Sequence, residues 1–229
     1  MSSSIVEFDE WIRNRFLDIN TELEEHYLAL DTLIIEDKIT TPLKAALVRE
    51  GNVNIAKILK NPDDIPSTYD DRFYLLGNVG MFMAACRRHE CDTPLDSGYS
   101  PLSAASTISF QLGSALGVAP RFMAVHLGIN NRAENGAYRT FTRLDDERIF
   151  IDYNTLGTLA YKKAADALER AMRFGVTHAL TEYLLENAKS ALEEVLKFNE
   201  ILDDELDVTR FFYNVRPYYK SYRVGRRDY

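Results

Sequence analysis

The residues best suited to chemistry lie near the end of the sequence, in the stretch FFYNVRPYYKSYRVG, which runs from Phe211 to Gly225. Between Thr209 and Tyr229, seven of 21 residues are Phe or Tyr, and six are Arg or Lys against one acidic residue, Asp228. The whole chain has a formal net charge of −8, so this segment, at +5, leaves −13 for everything before it. Residues 209–229 therefore form an electrostatically distinct aromatic and basic tail.

One interpretation of the tail is a binding site for a small aromatic amino acid. Asp207-Val208-Thr209 predicts the start of a helical turn, which would place Phe212 and Arg216 on one side, at i and i+4, with Phe211 beside them. The aromatic rings would form an apolar wall, and the guanidinium would hold the ligand's carboxylate through two parallel hydrogen bonds. Such a charge-assisted contact contributes about 1.5–3 kcal/mol.

Two other interpretations use the same residues differently. Tyr rings can stack on nucleotide bases while Arg pairs with phosphate, but the charge of −13 elsewhere would repel a polyanion, so we expect no nucleic-acid partner. Alternatively, Phe211 and Phe212 belong to the hydrophobic core and Arg216 forms an ion pair at the surface. The residue types alone leave this choice open.

Common local signatures of catalysis are absent from the sequence. It contains no glycine-rich phosphate loop, no Gly-x-Ser-x-Gly and no His-Glu-x-x-His. None of the four histidines has Glu three residues before it, which excludes Glu-x-x-His di-iron sites. Cys86 and Cys91 fit no common zinc or redox spacing, so we expect reduced, structural thiols. No catalytic residue can be assigned, and any chemistry must come from a cofactor or from residues that distant helices bring together.

The segments that must position the tail have helical patterns. Apolar residues recur at three- and four-residue spacing, as in amphipathic helices, and no useful strand alternation is present. Predicted helices run from Ile5 to Tyr27, Thr41 to Gly51, Thr68 to Arg88, Ser103 to Leu116, Ile149 to Phe174 and Thr177 to Phe198, and a turn-rich stretch runs from Thr93 to Pro101. The sequence therefore predicts an all-α fold.

The chain break at Asn61-Pro62-Asp63-Asp64-Ile65-Pro66 suggests a division into N-terminal helices, residues 1–66, and a main helical domain, residues 67–229. No stretch of about 18 apolar residues and no signal-peptide pattern occurs. We expect a cytoplasmic protein with no membrane partner.

The pattern Phe-Phe-x-x-x-Arg-x-Tyr, at Phe211 to Tyr218, resembles indoleamine 2,3-dioxygenase and its haem-dependent superfamily, which includes tryptophan 2,3-dioxygenase. The fuller string through Gly225 is most similar to the pyrrolnitrin-biosynthesis, monodechloroaminopyrrolnitrin synthase-like branch. Weaker similarities occur at Gly80-Met81-Phe82 through Arg88-His89-Glu90, Leu116 to Pro120 and Phe122 to Asn131. Together they span about residues 70–225.

The resemblance implies a helical bundle that binds haem b and uses dioxygen on an aromatic amino acid, tryptophan-like or tyrosine-like, in secondary metabolism. It implies that Phe211 and Phe212 border the substrate and that Arg216 holds its carboxylate. Ser109 lies in a segment that matches a pocket-lining helix, although the dioxygenases have an aromatic residue there. Whether the reaction is a dioxygenation, a hydroxylation or a rearrangement is left open.

The proximal histidine of that superfamily lies beyond the tail motif, and none of the four histidines of this chain corresponds to it. His126, in an apolar stretch, is the best spare candidate, although a satisfied core histidine fits the pattern better. No metal ligand is assignable. We expect the chain to continue into further C-terminal helices that carry the ligand; the alternative is a shortened member that has lost haem chemistry.

A second functional hypothesis is a non-catalytic helical binding module. In this hypothesis the protein is a module such as a homodimer, and its basic tail docks on an acidic helix face of a partner. It predicts that Arg216→Ala weakens self-association or partner binding and leaves ligand binding unchanged.

Overall fold

A computed structural model describes residues 2–93 and 100–229 of the chain. The fold is all-α, as predicted. Its α-helices are α1 (Ser3–Trp11), α2 (Leu17–Ala29), α3 (Thr40–Lys60), α4 (Tyr69–Arg88), α5 (Ser103–Leu116), α6 (Asp145–Phe174), α7 (Ala179–Glu205) and α8 (Val208–Arg210). Most of the turn-rich prediction for residues 93–101 lies outside the described residues.

Shorter elements complete the chain. Single π-helical turns occupy Ile12–Phe16 and Phe211–Val215, and 3₁₀ turns occupy Pro62–Asp64, Ala124–His126 and Arg216–Tyr219. Strands β1 (Arg223–Val224) and β2 (Arg227–Asp228) pair antiparallel, with Arg223 opposite Asp228. None of the helices in the described ranges is long and apolar enough to cross a bilayer.

The chain divides into two compact units. The first comprises Met1–Leu144 together with Thr209–Tyr229, and the second is Asp145–Val208. The aromatic and basic tail thus belongs to the same unit as the N-terminal helices. The boundary near residue 66 stays a prediction.

The N-terminal stripe forms much of the core of the first unit. The π turn at Ile12–Phe16 joins α1 to α2, so the predicted helix from Ile5 to Tyr27 runs on through it. The predicted apolar stripe includes Trp11, which is half-buried. Its other members are completely buried, and they are Ile5, Phe8, Ile12, Phe16, Ile19, Leu23 and Tyr27. The apolar spacing therefore identified the buried face correctly.

Gly51 does not close a helix, so that prediction was wrong. Helix α3 continues through it to Lys60, and a Cβ built at Gly51 would lie 2.2 Å from the ring of Phe82 in α4. The missing side chain makes room for that ring, and a helix tolerates glycine where packing compensates.

Some helix boundaries follow the predicted signals closely, whereas α6 begins at Asp145 instead of Ile149 and α7 runs to Glu205 instead of ending at Phe198. Residues Ser67 to Asp70 resemble a capping box, and the observed N-cap of α4 is Thr68, whose side chain accepts a hydrogen bond from the backbone N–H of Asp71. Gly117, at a φ of 68°, ends α5 in the left-handed conformation. Helix α7 begins one residue later than predicted, because His178 rather than Thr177 is its N-cap.

The second unit is a hairpin of α6 and α7. Along their interface the helices bury mainly small side chains, and these are Ala164, Ala167 and Ala171 of α6 with Leu184, Ala188 and Ala191 of α7. Small residues at this spacing let two helix backbones approach closely. The ion pair between Lys163 and Glu194, at 3.6 Å, also joins the two helices.

Candidate functional site

The tail is helical where the sequence predicted a helical turn, but its geometry changes along its length. Helix α8 leads into the π turn Phe211–Val215, and the chain then tightens into the 3₁₀ turn Arg216–Tyr219. This combination separates the side chains into two faces. Asn214, Val215 and Tyr218 are buried at 0–2% exposure, whereas Phe212 and Arg216 are exposed.

Arg216 and Phe212 share the exposed face, as their i, i+4 spacing predicts. The guanidinium carbon of Arg216 lies over the Phe212 ring, 4.8 Å from its centroid, and Phe211 is half-buried beside them. In the part of the chain that the structure describes, no carboxylate lies within ion-pair distance of Arg216. The interpretation in which Arg216 is neutralised by a surface ion pair therefore has no support in this geometry.

Ser109 lies in α5 in a different environment. Its side chain is completely buried, and its hydroxyl donates to the sulfur of Met83 in α4, at 3.6 Å. The small side chain lets α5 pack against α4 at this point. Its described contacts are thus with the core, whereas those of Arg216 are on the surface.

A buried polar cluster lies behind the tail, and pattern analysis missed it. Arg88 donates two hydrogen bonds to Glu24, each at 2.8 Å, and Asn214 donates to the same carboxylate at 3.0 Å. Arg88 also donates to the backbone carbonyl of Tyr213, at 3.3 Å. Helices α2 and α4 are therefore tied to the tail through one ion pair.

His89 extends this cluster. Its Nε2 lies 2.9 Å from Oδ1 of Asn20 and 3.1 Å from the hydroxyl of Tyr218, and its Nδ1 lies 3.2 Å from the hydroxyl of Tyr27. Because the Asn20 amide nitrogen donates to the carbonyl of Phe16, Oδ1 must be the acceptor and Nε2 must carry the proton. Burial, with the nearby charge of Arg88, lowers the pKa of His89 well below its ordinary value, so the ring is neutral.

A signal for the cluster was present in the sequence. Asn20, Glu24 and Tyr27 occupy the buried face of the first helix at spacings of four and three, among residues that are otherwise apolar. Polar side chains on a buried face need partners, and this rule predicts a buried polar contact there. The partners could not be identified from the same rule, because they come from positions 62 to 190 residues away.

A second buried polar cluster fixes the start of α4. Asp9 of α1 accepts hydrogen bonds from Arg13, Tyr74 and Asn78, at 2.7–2.9 Å. Asn78 in turn accepts from the guanidinium of Arg139. Burial lowers the pKa of Arg139 to about 10. The guanidinium lies over the ring of Tyr74 at 3.9 Å, a cation–π contact that offsets part of its desolvation.

His126, the weak candidate for a haem ligand, is completely buried in the core. The backbone N–H of Met123 donates to its Nδ1 at 2.9 Å, so the proton of the neutral ring lies on Nε2, which has no partner among the described residues. Phe73 stacks on the ring at 4.1 Å, and a Cβ at Gly77 would lie 2.9 Å from Cδ2. His126 is thus a fully buried ring packed between Phe73 and α4.

The other histidines are not placed beside a cleft. Both ring nitrogens of His89 are hydrogen-bonded, whereas His26 pairs with Asp37 through Nε2 at 2.7 Å and His178 accepts from the backbone N–H of Leu180 through Nδ1. A histidine that ligates iron uses one ring nitrogen and commonly hydrogen-bonds through the other, so these bonds exclude only His89. None of the described histidines lines the cleft between α4, α5 and the C-terminal hairpin, and no axial ligand is assigned.

A cleft of about 540 Å³ lies elsewhere on the first unit, between the end of α4, the start of α5 and the β1–β2 hairpin. Its charged lining consists of Arg87, Asp92, Arg223 and Asp228. None of the four predicted substrate residues is part of this lining. The face that carries Arg216 and Phe212 is instead an open surface.

The sequence matches the protein family described as monodechloroaminopyrrolnitrin synthase PrnB, and the match covers residues 2–229. It confirms the resemblance seen in the tail motif and extends it over the N-terminal helices. No curated protein matches the chain. Because the family match covers nearly the whole sequence, the protein belongs to the PrnB family, whose members are haem-dependent oxidative enzymes of pyrrolnitrin biosynthesis that act on a tryptophan-derived substrate.

Proposed function

We propose that the exposed face of the tail binds the aromatic amino acid on which this enzyme acts. Phe211 and Phe212 border the aromatic side chain, and Arg216 holds the carboxylate. The observation that carries the proposal is the position of Arg216, which is exposed, has no acidic partner among the described residues and lies on an aromatic ring. A guanidinium in this state is available for a ligand carboxylate.

Membership of a family that acts on a tryptophan-derived substrate favours an indole as the aromatic group. The Phe212 ring offers a flat apolar surface, and aromatic pairs stack with ring centroids about 4.5–7 Å apart. A carboxylate on the same ligand would then reach the guanidinium that lies over this ring. We propose tryptophan or a close derivative, and tyrosine second.

Haem supplies dioxygen activation in enzymes of this superfamily. Since no axial ligand is assigned among the described histidines, no step of the proposal passes through the iron. The contribution assigned to this chain is to bind and orient the amino acid by its two ends, which places its ring for oxidation. Ser109 remains a weaker part of the proposal, because its hydroxyl would have to turn away from Met83.

Ligand binding tests the proposal directly. Calorimetry with L-tryptophan and with tryptamine, which lacks the carboxylate, should show that the wild-type protein prefers L-tryptophan. We expect Arg216→Ala to weaken L-tryptophan binding about 10- to 100-fold, the factor that corresponds to one charge-assisted contact. Tryptamine binding should not change.

Arg226→Ala is the matched control, because it removes an equal charge from another exposed position of the tail. An equal loss of L-tryptophan affinity in both variants would overturn the proposal. The homodimer hypothesis stays a prediction, and sedimentation of the wild type and Arg216→Ala tests it separately.

A further inference from the structure

We propose that Glu24, Arg88 and His89 are positioning residues for Arg216. In this role they hold the buried side of the tail so that the guanidinium stays over the Phe212 ring. The inference rests on the proposed function, since it explains how the orientation of Arg216 that binds the ligand carboxylate is maintained. None of the three residues lies on the exposed face itself.

Residues of the cluster form hydrogen bonds with the tail at three points around Arg216. Arg88 reaches the carbonyl of Tyr213 at 3.3 Å, and Glu24 accepts from Asn214 at 3.0 Å, two residues before Arg216. His89 contacts the hydroxyl of Tyr218 at 3.1 Å, two residues after it. Between the anchored residues Asn214 and Tyr218, Arg216 is the exposed position.

The hydroxyl of Tyr218 links the tail to two residues of the cluster. The single proton on Nε2 of His89 is shared between Oδ1 of Asn20 and the Tyr218 oxygen, which accepts it, and the Tyr218 hydroxyl donates its own proton to the Glu24 carboxylate. The Tyr218 ring also stacks on Phe141, with centroids 4.6 Å apart. One side chain therefore connects the segment after Arg216 to both His89 and Glu24.

The local backbone shows why anchors are needed. The tail changes from a π turn to a 3₁₀ turn at Arg216, and neither geometry is stable over more than a turn without other contacts. A loose segment would have to be ordered when the ligand binds, which weakens affinity. Anchors on both sides of Arg216 remove that penalty in advance and fix the direction of the guanidinium.

Tyr218→Phe and Tyr27→Phe form a matched pair of variants. Each removes one buried hydroxyl that contacts His89, but only Tyr218 is part of the tail. The readout is the affinity ratio of L-tryptophan to tryptamine, which reports how well the carboxylate is held. We expect Tyr218→Phe to lower this ratio about threefold to tenfold, the effect of one ordinary hydrogen bond. Tyr27→Phe should leave the ratio at the wild-type value.

Hydrogen–deuterium exchange of the peptide that covers residues 211–219 provides a readout without ligand. Exchange there should be faster in Tyr218→Phe than in the wild type, and unchanged in Tyr27→Phe. If Tyr218→Phe does not fold, Asn214→Ala serves in its place, because it removes the donor to Glu24 on the other side of Arg216.

The outcomes separate this inference from the proposed function. A wild-type protein with no preference for L-tryptophan, or a preference that survives Arg216→Ala, overturns the proposed function. A preference that Arg216→Ala abolishes but Tyr218→Phe and Asn214→Ala both leave intact overturns the positioning role. Unchanged exchange of residues 211–219 in Tyr218→Phe overturns it as well, whatever the ligand does.

Discussion

Arg88 and Glu24 meet through two parallel hydrogen bonds in the interior, from Nε to Oε1 and from Nη2 to Oε2. Arg88 is 6% exposed and Glu24 is fully buried. Two charges removed from water in this way depend on each other, because each is the counter-ion that compensates the desolvation of the other.

Glu24→Gln should destabilise the protein by about 3–5 kcal/mol, since it leaves the Arg88 guanidinium buried without a counter-ion. Urea unfolding gives the free energy of unfolding directly. The double variant Glu24→Gln with Arg88→Met should be less destabilised than the sum of the two single variants. Simple additivity, or a cost of Glu24→Gln below about 1 kcal/mol, would contradict the pairing.

Stability should fall in mild acid, partly because of His126. Burial, with the charge of Arg139 nearby, lowers the pKa of His126 from 6.5 to about 4. Between these values the unfolded chain binds a proton that the folded protein does not. The contribution of His126 is therefore intact above pH 6.5 and is lost as the pH falls towards 4, by up to about 3 kcal/mol.

His126→Gln isolates this effect, because an amide cannot take up the proton. The free energy of unfolding at pH 7.5 minus that at pH 4.5 should be smaller in His126→Gln than in the wild type. An identical pH dependence in the wild type and in His126→Gln would refute the assignment.

Two glycines within helices should respond in opposite ways to alanine. Gly51→Ala should destabilise the protein by about 1–3 kcal/mol, because the new methyl group would meet the Phe82 ring. A Cβ added at Gly157 of α6 would meet no atom within 4 Å beyond its own helix, so Gly157→Ala should stabilise by about 0.5–1 kcal/mol. Thermal unfolding of the two variants measures the sign of each change in stability. An increase in the stability of Gly51→Ala would show that the packing around Phe82 is looser than described.

Both cysteines should be unreactive in the native protein. Cys86 is fully buried, and burial raises the pKa of its thiol well above the ordinary value. Burial also raises the pKa of Cys91 to about 12, so its thiolate is scarce at neutral pH. Iodoacetamide at pH 7.5 should label neither residue within minutes, whereas both should react in guanidinium chloride. Rapid labelling of native Cys91 would contradict this environment.

The sequence predicted the helices well because their signals are local. Apolar spacing identified most of the buried face from Ile5 to Tyr27, the capping-box pattern from Ser67 to Asp70 marked the start of α4, and Gly117 marked the end of α5. Gly51 was misjudged because its role depends on Phe82, 31 positions later in the sequence. No local pattern records which ring will lie against a given glycine.

The candidate site was predictable only on its exposed side. The spacing of Phe212 and Arg216 indicated a shared face, which the structure confirms. The cluster behind them joins residues that are far apart in the sequence, so their pairing follows from tertiary structure rather than from periodicity. The polar residues Asn20, Glu24 and Tyr27 on a buried helix face indicated that a polar cluster exists there. No local pattern indicated that Asn214 would be one of their partners.

The hydrogen bond between Glu24 and Asn214 spans 190 residues of the chain. At ribosomal rates of about 5–20 residues per second, roughly 10–40 s pass between the synthesis of the two. Glu24 and Arg88 are therefore available to each other well before the tail emerges, and until then one side of their ion pair stays uncovered. The segment that carries Arg216 is the last part of this cluster to be made, so the buried ion pair is fully enclosed only after this segment has docked.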